Sequence, residues 1–516
     1  MKLVERKCPR TIVFVIDGLR PDLISLEHTP CLWNLMKESV RFANSRAIFP
    51  TVTRVSAAAM GTGAYPGTSG IYGNCIYEPE IDKKHGVNTG TMENIEKLVK
   101  IRQGKIVRTK SMAERFQKKN LKYAAVSSGT QGSSYLLNPV AEKSCGTLVN
   151  GYFIRNERAA YPESISCEIL EKFPEPEDET RPEQTFGKRV SWTEDVVKDY
   201  LIGEKDTDII VNWIAEPDHS QHYYDVGSAK VMEMIELVDR KIEDVIAEVK
   251  RRGEYEETNF FILSDHGYSK CSYAMNVGEA LIHAGIKENG ESEDVIVVDN
   301  EETVLIHVQN REVKKVQEIV TYLQTQNWAD VIFTAPAEGG ERGKIPGTFS
   351  LDLIHLWNEK DAPDILVTFP WSSDKNEYGY PGLDYDAGKF VGKIDSPRSS
   401  HGSLSPYTIR NVMFALGPKF KRNVTSYVPV NLLDVAATIL SMYEIEADEG
   451  VEGRVIEEMF QNGPDVEKIP VSTISYVVEN AELEYKAVLQ ISQAGERDYL
   501  EKGFRVIKKE EQTERK

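Results

Sequence analysis

The chain has 516 residues, of which 41% are hydrophobic and 28% charged, and 81 acidic against 62 basic side chains give a formal charge of −19. These values argue against bulk disorder. They also argue against a general nucleic-acid-coating role, because no broad basic face is available to neutralise phosphates. A small phosphorylated substrate stays within reach, since its site needs only a few local cations or metals.

The length fits about two to four domains, or one large core with insertions. The N-terminal MKLVERKCPR is charged, and the apolar stretch behind it is too short for a signal-peptide core. No apolar run approaches the roughly 20 residues of a membrane span. The six cysteines (Cys8, Cys31, Cys75, Cys145, Cys167, Cys271) show no paired spacing. A reducing, cytoplasmic location with free thiols is the expectation. The oligomeric state is not legible in this pattern.

In chain order, short near-continuous apolar runs occur at Thr11–Ile16, Tyr123–Ser127, Asp208–Ile214, Asn259–Ser264, Asp364–Phe369 and Asn411–Leu416. Such runs suit strands buried on both faces of a parallel sheet. Helical patterns fall between them, at Thr29–Glu38, Thr109–Lys119, Ala229–Lys250 and Leu432–Tyr443. The alternation predicts an α/β fold, with a doubly wound, mostly parallel sheet flanked by helices. Residues 1–270 and 396–460 form the expected core. Residues 271–395 carry a second strand–helix–strand unit (Glu302–Val308, Arg311–Gln326, Ala329–Thr334), expected as a smaller inserted α+β cap. Residues 461–516 are expected to form a C-terminal appendage, whose charge-dense end, Lys508 to Lys516, frays. The segment Glu78–Lys110 is locally basic (Lys84, Lys97, Lys100, Arg102, Lys105) and carries no readable motif.

Several core runs end in metal-ligand chemistry. Asp17 follows the first run, Asp218 and His222 the third, and Asp265 and His266 the fourth, while His401 sits in the loop SPRSSHGS. In an open α/β sheet, ligands bind outside the carboxyl ends of the strands, so these six residues would converge in one crevice. Three Asp and three His suit Zn²⁺ or Mn²⁺ rather than Ca²⁺. Six side chains are too many for one tetrahedral ion and suit two, with open positions for substrate. Taken singly, each reads more readily as a turn or chance residue than as a ligand, and it is their shared placement after buried strands that favours the joint reading. Two such ions would stabilise both oxygens of a phosphoryl displacement. His28, His85, His219, His283, His307 and His355 read as surface or satisfied core groups, with His219 the least certain because it lies within the Asp218/His222 motif.

Thr53, in FPTVTRVSAAAM, falls at or near a helix N-terminus, where amide donors and the helix dipole favour an anion. It reads either as a nucleophile or as a capping threonine, with Thr51 a rival by position only. Asn74, in GIYGN, reads as a donor or as a turn residue.

Together these segments resemble the type I phosphodiesterase/nucleotide pyrophosphatase branch of the alkaline phosphatase superfamily. The ordered motifs are VIDG at Asp17, FPTVT at Thr53, GIYGN at Asn74, EPDxxxH at Asp218 and His222, SDHG at Asp265 and His266, and HG at His401. The late stretch NLLDVAATIL…VEGR also looks like this superfamily. The resemblance implies that Asp218, His222 and His401 hold one zinc, and that Asp17, Asp265, His266 and the Thr53 oxygen hold the second. It implies that Thr53 attacks phosphorus and that water then hydrolyses a phosphothreonine, with Asn74 donating to a non-bridging oxygen. Trp213 stands where relatives often carry a base-stacking tyrosine; it reads either as a substrate-binding platform or as a core aromatic. Arg54 departs from the aromatic residue many relatives carry after the nucleophile, and either holds a second anionic group or points into solvent.

A phosphodiester or nucleotide pyrophosphate hydrolase is therefore expected. A phosphomonoesterase or phosphonate hydrolase is the alternative, and a metal-containing binding protein is the non-enzymatic one.

Overall fold

The computed structural model describes residues 8–153 and 158–507. Its central feature is a nine-stranded sheet. In chain order the strands are β1 (Arg10–Ile16), β2 (Val40–Phe42), β3 (Tyr123–Ser127), β4 (Thr147–Asn150), β5 (Ala160–Tyr161), β6 (Ile209–Ile214), β7 (Thr258–Leu263), β8 (Met413–Leu416) and β9 (Val424–Ser426). Their spatial order is β9-β2-β8-β7-β1-β6-β3-β4-β5. The five strands β7, β1, β6, β3 and β4 run parallel.

All seven residues of β1 are buried. Their alternation divides them between two cores: Val13 and Val15 face one, while Ile12, Phe14 and Ile16 face the other. Helix α1 (Thr53–Thr62) covers the first face through Val55 and its alanines. The 23-residue helix Ala229–Arg251 covers the second, burying Val231, Ile235, Val238, Ile242, Val245 and Val249 on one stripe. Apolar residues at three- and four-residue spacing give that stripe its width. Helices on both faces make the sheet doubly wound.

Two apolar runs depart from the parallel expectation. The run Asn411–Leu416 supplies β8, which lies antiparallel to β7. The run Asp364–Phe369 supplies Ile365–Thr368, which belongs to a separate five-stranded sheet and pairs antiparallel on both sides. A continuous apolar run encodes burial on both faces; it does not encode strand direction or sheet membership.

The separate sheet contains Val295–Asn300, Thr303–Val308, Ile332–Thr334, Phe349–Ser350 and Ile365–Thr368. Its apolar residues, Val304 and Ile365 among them, join the same buried cluster as α1. The last strands, Val471–Asn480, Tyr485–Ala494 and Arg497–Arg505, form an antiparallel meander. The meander is tied down rather than loose: Tyr485 Oη donates to Asp330 O at 2.7 Å, Trp371 Nε1 to Gly503 O at 2.7 Å, and Tyr499 Oη to Asp434 Oδ2 at 2.8 Å. The expected frayed end, 508–516, lies outside the described residues. Among the described residues, no helix is long and apolar enough to cross a membrane.

Candidate active site

Strand register brings the site together. Ile16 of β1 lies opposite Ile214 of β6, and Val15 lies opposite Leu263 of β7. Three neighbouring parallel strands therefore end at one level, and the residues after them share one crevice. Asp17 N donates to Ile214 O at 2.9 Å, and Asp218 N donates to Asp17 O at 3.1 Å. Gly18 turns the chain with φ +70°, and its missing Cβ leaves room for the Tyr268 ring. Its amide donates to Asp265 Oδ1 at 3.0 Å.

Two triads of ligand atoms result: Asp218, His222 and His401, and Asp17, Asp265 and His266, each within 4.8 Å. Asp218 opens a short helix, Asp218–Tyr223, so His222 falls on the same face one turn later. His401 Nε2 lies 3.4 Å and His222 Nε2 3.5 Å from Asp218 Oδ1. In the second triad, His266 Nε2 lies 3.2 Å from Asp265 Oδ2 and 3.4 Å from Asp17 Oδ1. The His266 and His401 rings, one from each triad, stack with centroids 3.8 Å apart.

Outer contacts aim these groups inward. His401 Nδ1 pairs with Thr51 O at 2.8 Å and His266 Nδ1 with Gly267 O at 3.0 Å, which leaves each Nε2 free to ligate. Tyr268 Oη donates to Asp218 Oδ1 at 2.7 Å. Trp213 Nε1 donates to Asp17 Oδ2 at 2.8 Å.

Buried atoms normally find partners, yet Asp17 Oδ1, Asp265 Oδ2 and His401 Nε2 have none. Burial, then the neighbouring Asp265 and Asp218, holds Asp17 well above the usual carboxylate range. Burial likewise pushes Asp265 up to about 7. Burial lowers His266 and His222, favouring the neutral form that can donate a lone pair, while for His401 burial is outweighed by the Asp218 carboxylate, which raises it. Orphaned oxygens, crowded acids and neutral imidazoles fit divalent cations: a cation relieves the repulsion and satisfies the atoms at once.

Thr53 is 9% exposed and its Oγ1 lies 3.5 Å from His266 Nε2. It is the first residue of α1; Val52 occupies the N-cap, and no side chain caps the helix. The Thr53 hydroxyl is thus not used as a cap. Thr51 is fully buried and accepts from Gly402 N at 2.9 Å, a structural task that ties the His401 loop to α1's approach. Asn74 Oδ1 accepts from Arg54 N at 3.1 Å, placing its amide beside the nucleophile candidate.

Trp213 does not fit the substrate-stacking role. It lies within β6, 1% exposed, with its indole N–H on Asp17. A central strand covered on both faces leaves no open aromatic surface. Arg54 does not point away into solvent. Its Nη2 donates to Thr130 Oγ1 at 3.3 Å, its Nε is buried without a partner, and a Cβ at Gly90 would strike its guanidinium.

Gly90 and Thr130 belong to a cleft of about 490 Å³ that also includes Gln131, Tyr152, Phe186, His219, His222 and Tyr223. Phe186 lies 4.9 Å from His219 and 5.8 Å from Tyr223 between ring centroids. His219 is therefore a cleft residue rather than a surface or satisfied core group. Burial pulls it down to about 4, so it is neutral. These aromatics come from separate segments and had no shared sequence signal beyond the position of His219.

A second residue missed by sequence reasoning is Glu301. It stands at the turn between Val295–Asn300 and Thr303–Val308 with φ 56°. Burial raises its carboxyl, but His222, His401 and Arg54 more than offset that and hold it ionised. Ser400 Oγ donates to its Oε2 at 3.4 Å. The inserted sheet thus places a negative charge beside the first triad.

A family model, type I phosphodiesterase/nucleotide pyrophosphatase, matches residues 11–377. Similar proteins include the human ectonucleotide pyrophosphatase/phosphodiesterase family member 1, 24% identical over 272 residues, covering 51% of this chain and 24% of that protein. The human bis(5'-adenosyl)-triphosphatase ENPP4 is 24% identical over 282 residues, covering 54% and 51%. The venom phosphodiesterase of Naja atra is 21% identical over 263 residues, covering 51% and 26%. The matches thus span between about a quarter and a half of these relatives' lengths.

Proposed function

Because the chain belongs to the type I phosphodiesterase/nucleotide pyrophosphatase family, we propose that it hydrolyses phosphodiester or nucleotide pyrophosphate bonds through a phosphothreonine on Thr53. The observation that carries this reading is the pairing of two adjacent ligand triads, the second of which lies against a threonine hydroxyl that caps nothing.

Asp218, His222 and His401 would hold one divalent ion, and Asp17, Asp265 and His266 the other. An imidazole and carboxylate set suits zinc, with manganese a second fit. Bound there, such ions supply Lewis-acid charge that lowers the pKa of a hydroxyl or water and offsets charge on phosphate oxygens. The residues do the rest. Thr53 Oγ attacks phosphorus and expels the leaving alcohol or phosphate, forming a threonine phosphoester. Water attacks that ester from the opposite side and returns Thr53 to its hydroxyl form. Asn74, held by the Arg54 amide, donates to a non-bridging oxygen where charge grows in the transition state. Trp213 and Tyr268 hold the carboxylates in place rather than touching substrate.

Tyr152, Phe186 and Tyr223 give the leaving group or nucleoside a flat apolar wall next to His222. Arg54 supports a second reading, hydrolysis of a phosphomonoester or phosphonate. Its partly unpartnered guanidinium suits a terminal dianion better than a diester monoanion.

The test compares turnover of bis(p-nitrophenyl) phosphate and p-nitrophenyl phosphate by the metal-loaded chain, with Thr53→Ala as control. Diester preference lost in the variant is expected. Full turnover by Thr53→Ala with metal retained would overturn the proposal, and monoester preference would promote the Arg54 reading.

A further inference from the structure

A second cleft, of about 620 Å³, shares no residue with the aromatic cleft or with either triad. One wall is the chain leaving helix α2 (Met92–Ile101), within the basic segment that carried no sequence motif. The other comes from the inserted sheet and the residues before its strand Ile365–Thr368.

Three guanidinium groups enter it. Arg102 donates to Ile106 O at 3.0 Å and reaches Glu78 at 3.4 Å. Arg108 pairs with Asp361 and reaches Tyr72 Oη at 3.3 Å. Arg311 donates to Ala362 O at 2.8 Å and rests 5.7 Å from the Trp357 ring. Lys105 and Lys360 also line the cleft; both are exposed, and among the described residues neither forms an ion pair. The acids Glu78, Asp361 and Asp364 engage the arginines, and the exposed Glu80 also lines the cleft, so five cationic side chains face four carboxylates and one positive charge is left in excess.

A buried polar group points the same way. His307 is 8% exposed, and its Nε2 has no hydrogen-bond partner. Its ring lies 4.9 Å from Tyr77, which also lines the cleft. In a well-packed interior such an atom is normally satisfied. Asn310 and Arg311 both hold left-handed backbone, φ 55° and 52°, which non-glycine residues adopt at a cost in free energy. The Arg311 side chain lines this cleft.

We propose that this cleft binds a small anion bearing a phosphate group, at a site separate from the hydrolytic centre. Guanidinium groups offer paired donors to phosphate oxygens, and lysines act as point charges. Such an anion joins the 101–108 segment to the inserted sheet. Both walls lead to the hydrolytic centre. The inserted sheet carries Glu301, and α2, about 15 Å long at 1.5 Å per residue, begins next to Gly90 of the aromatic cleft. The site does not depend on the hydrolytic reading.

The test is equilibrium dialysis of the metal-loaded full chain against radiolabelled inorganic phosphate, with competitive inhibition of turnover measured in parallel. Wild type is expected to bind a phosphate that does not compete with substrate, beside any that does. The Lys105→Glu/Lys360→Glu variant changes two exposed, unpaired side chains and leaves the packed interior intact. It should weaken only the non-competing phosphate, by about tenfold or more. Arg311→Gln should do the same. A single, purely competitive phosphate in wild type overturns the proposal. So does unchanged binding in both variants, or equal weakening of both phosphates.

Discussion

Trp213→Phe separates a positioning role from a stacking one. The substitution keeps an aromatic ring in β6 and deletes the N–H that reaches Asp17 Oδ2 at 2.8 Å. A hydrogen bond to a charged group is worth about 1.5–3 kcal/mol. Asp17 lies in a crowded set of acids and already has one unpartnered oxygen, so the loss falls on its orientation toward a bound ion. Outer contacts of this kind typically change metal affinity about 10–100-fold. Chelator competition should therefore show weaker binding of one ion, with the other unchanged, because in that triad Asp218 is held by Tyr268 and His401 by Thr51 instead. kcat should fall for nitrophenyl and nucleotide substrates alike at limiting metal and recover with excess metal. Unaltered metal affinity, together with a raised KM confined to nucleotide substrates, would refute this argument and restore the stacking role.

Arg54→Ala should reduce kcat/KM for a phosphomonoester by about tenfold or more, the scale of a charge-assisted hydrogen bond, and for a diester by less; equal losses would remove Arg54 from anion recognition. Phe186→Ala should raise KM for nucleotide substrates by an amount corresponding to about 1–3 kcal/mol of stacking, with kcat for nitrophenyl esters unchanged. Stripping the metals should lower the melting temperature, since ligands that bind only the folded state stabilise it, by about 2.7 kcal/mol per site at 100 times Kd; a melt indifferent to chelator and to added zinc would count against the metal sites. His307 offers a pH test. Burial, with a smaller contribution from Arg311, pulls it down to about 3 from an ordinary 6.5. Between those values the unfolded chain takes up a proton that the folded chain refuses. Its contribution is present in full above about pH 6.5 and is lost as pH falls toward 3. Denaturant melts of His307→Gln should show a shallower loss of stability across that window than wild type.

Much of the scaffold was legible in the sequence because burial and periodicity are local. The run Thr11–Ile16 and the helix Ala229–Lys250 announce themselves through which residues avoid water, and each lies within a residue or so of its structural counterpart. Five of the six ligand candidates were legible for a related reason: a parallel strand delivers whatever follows it to the carboxyl edge of the sheet, so a residue's place after a strand predicts its place in space, whereas His401 comes from a loop outside that sheet. Strand direction was not legible. Met413–Leu416 and Ile365–Thr368 are as apolar as the parallel strands, yet both pair antiparallel, because pairing depends on where the connecting chain returns.

What the sequence alone determined is the α/β alternation, the ligand chemistry and the motif order that marks the family. Tertiary structure alone decided what each flanking side chain does. Trp213 became a donor to Asp17, Thr51 a strut for the His401 loop, and Glu301 a neighbour of the first triad. The aromatic cleft of Tyr152, Phe186, His219 and Tyr223 and the basic cleft at Arg102, Arg108 and Arg311 likewise assemble from segments far apart in the chain. The reason is physical: local sequence sets which face of an element is apolar, while hydrogen-bond partners, burial and the field at a charge are set by neighbours that only packing brings within reach.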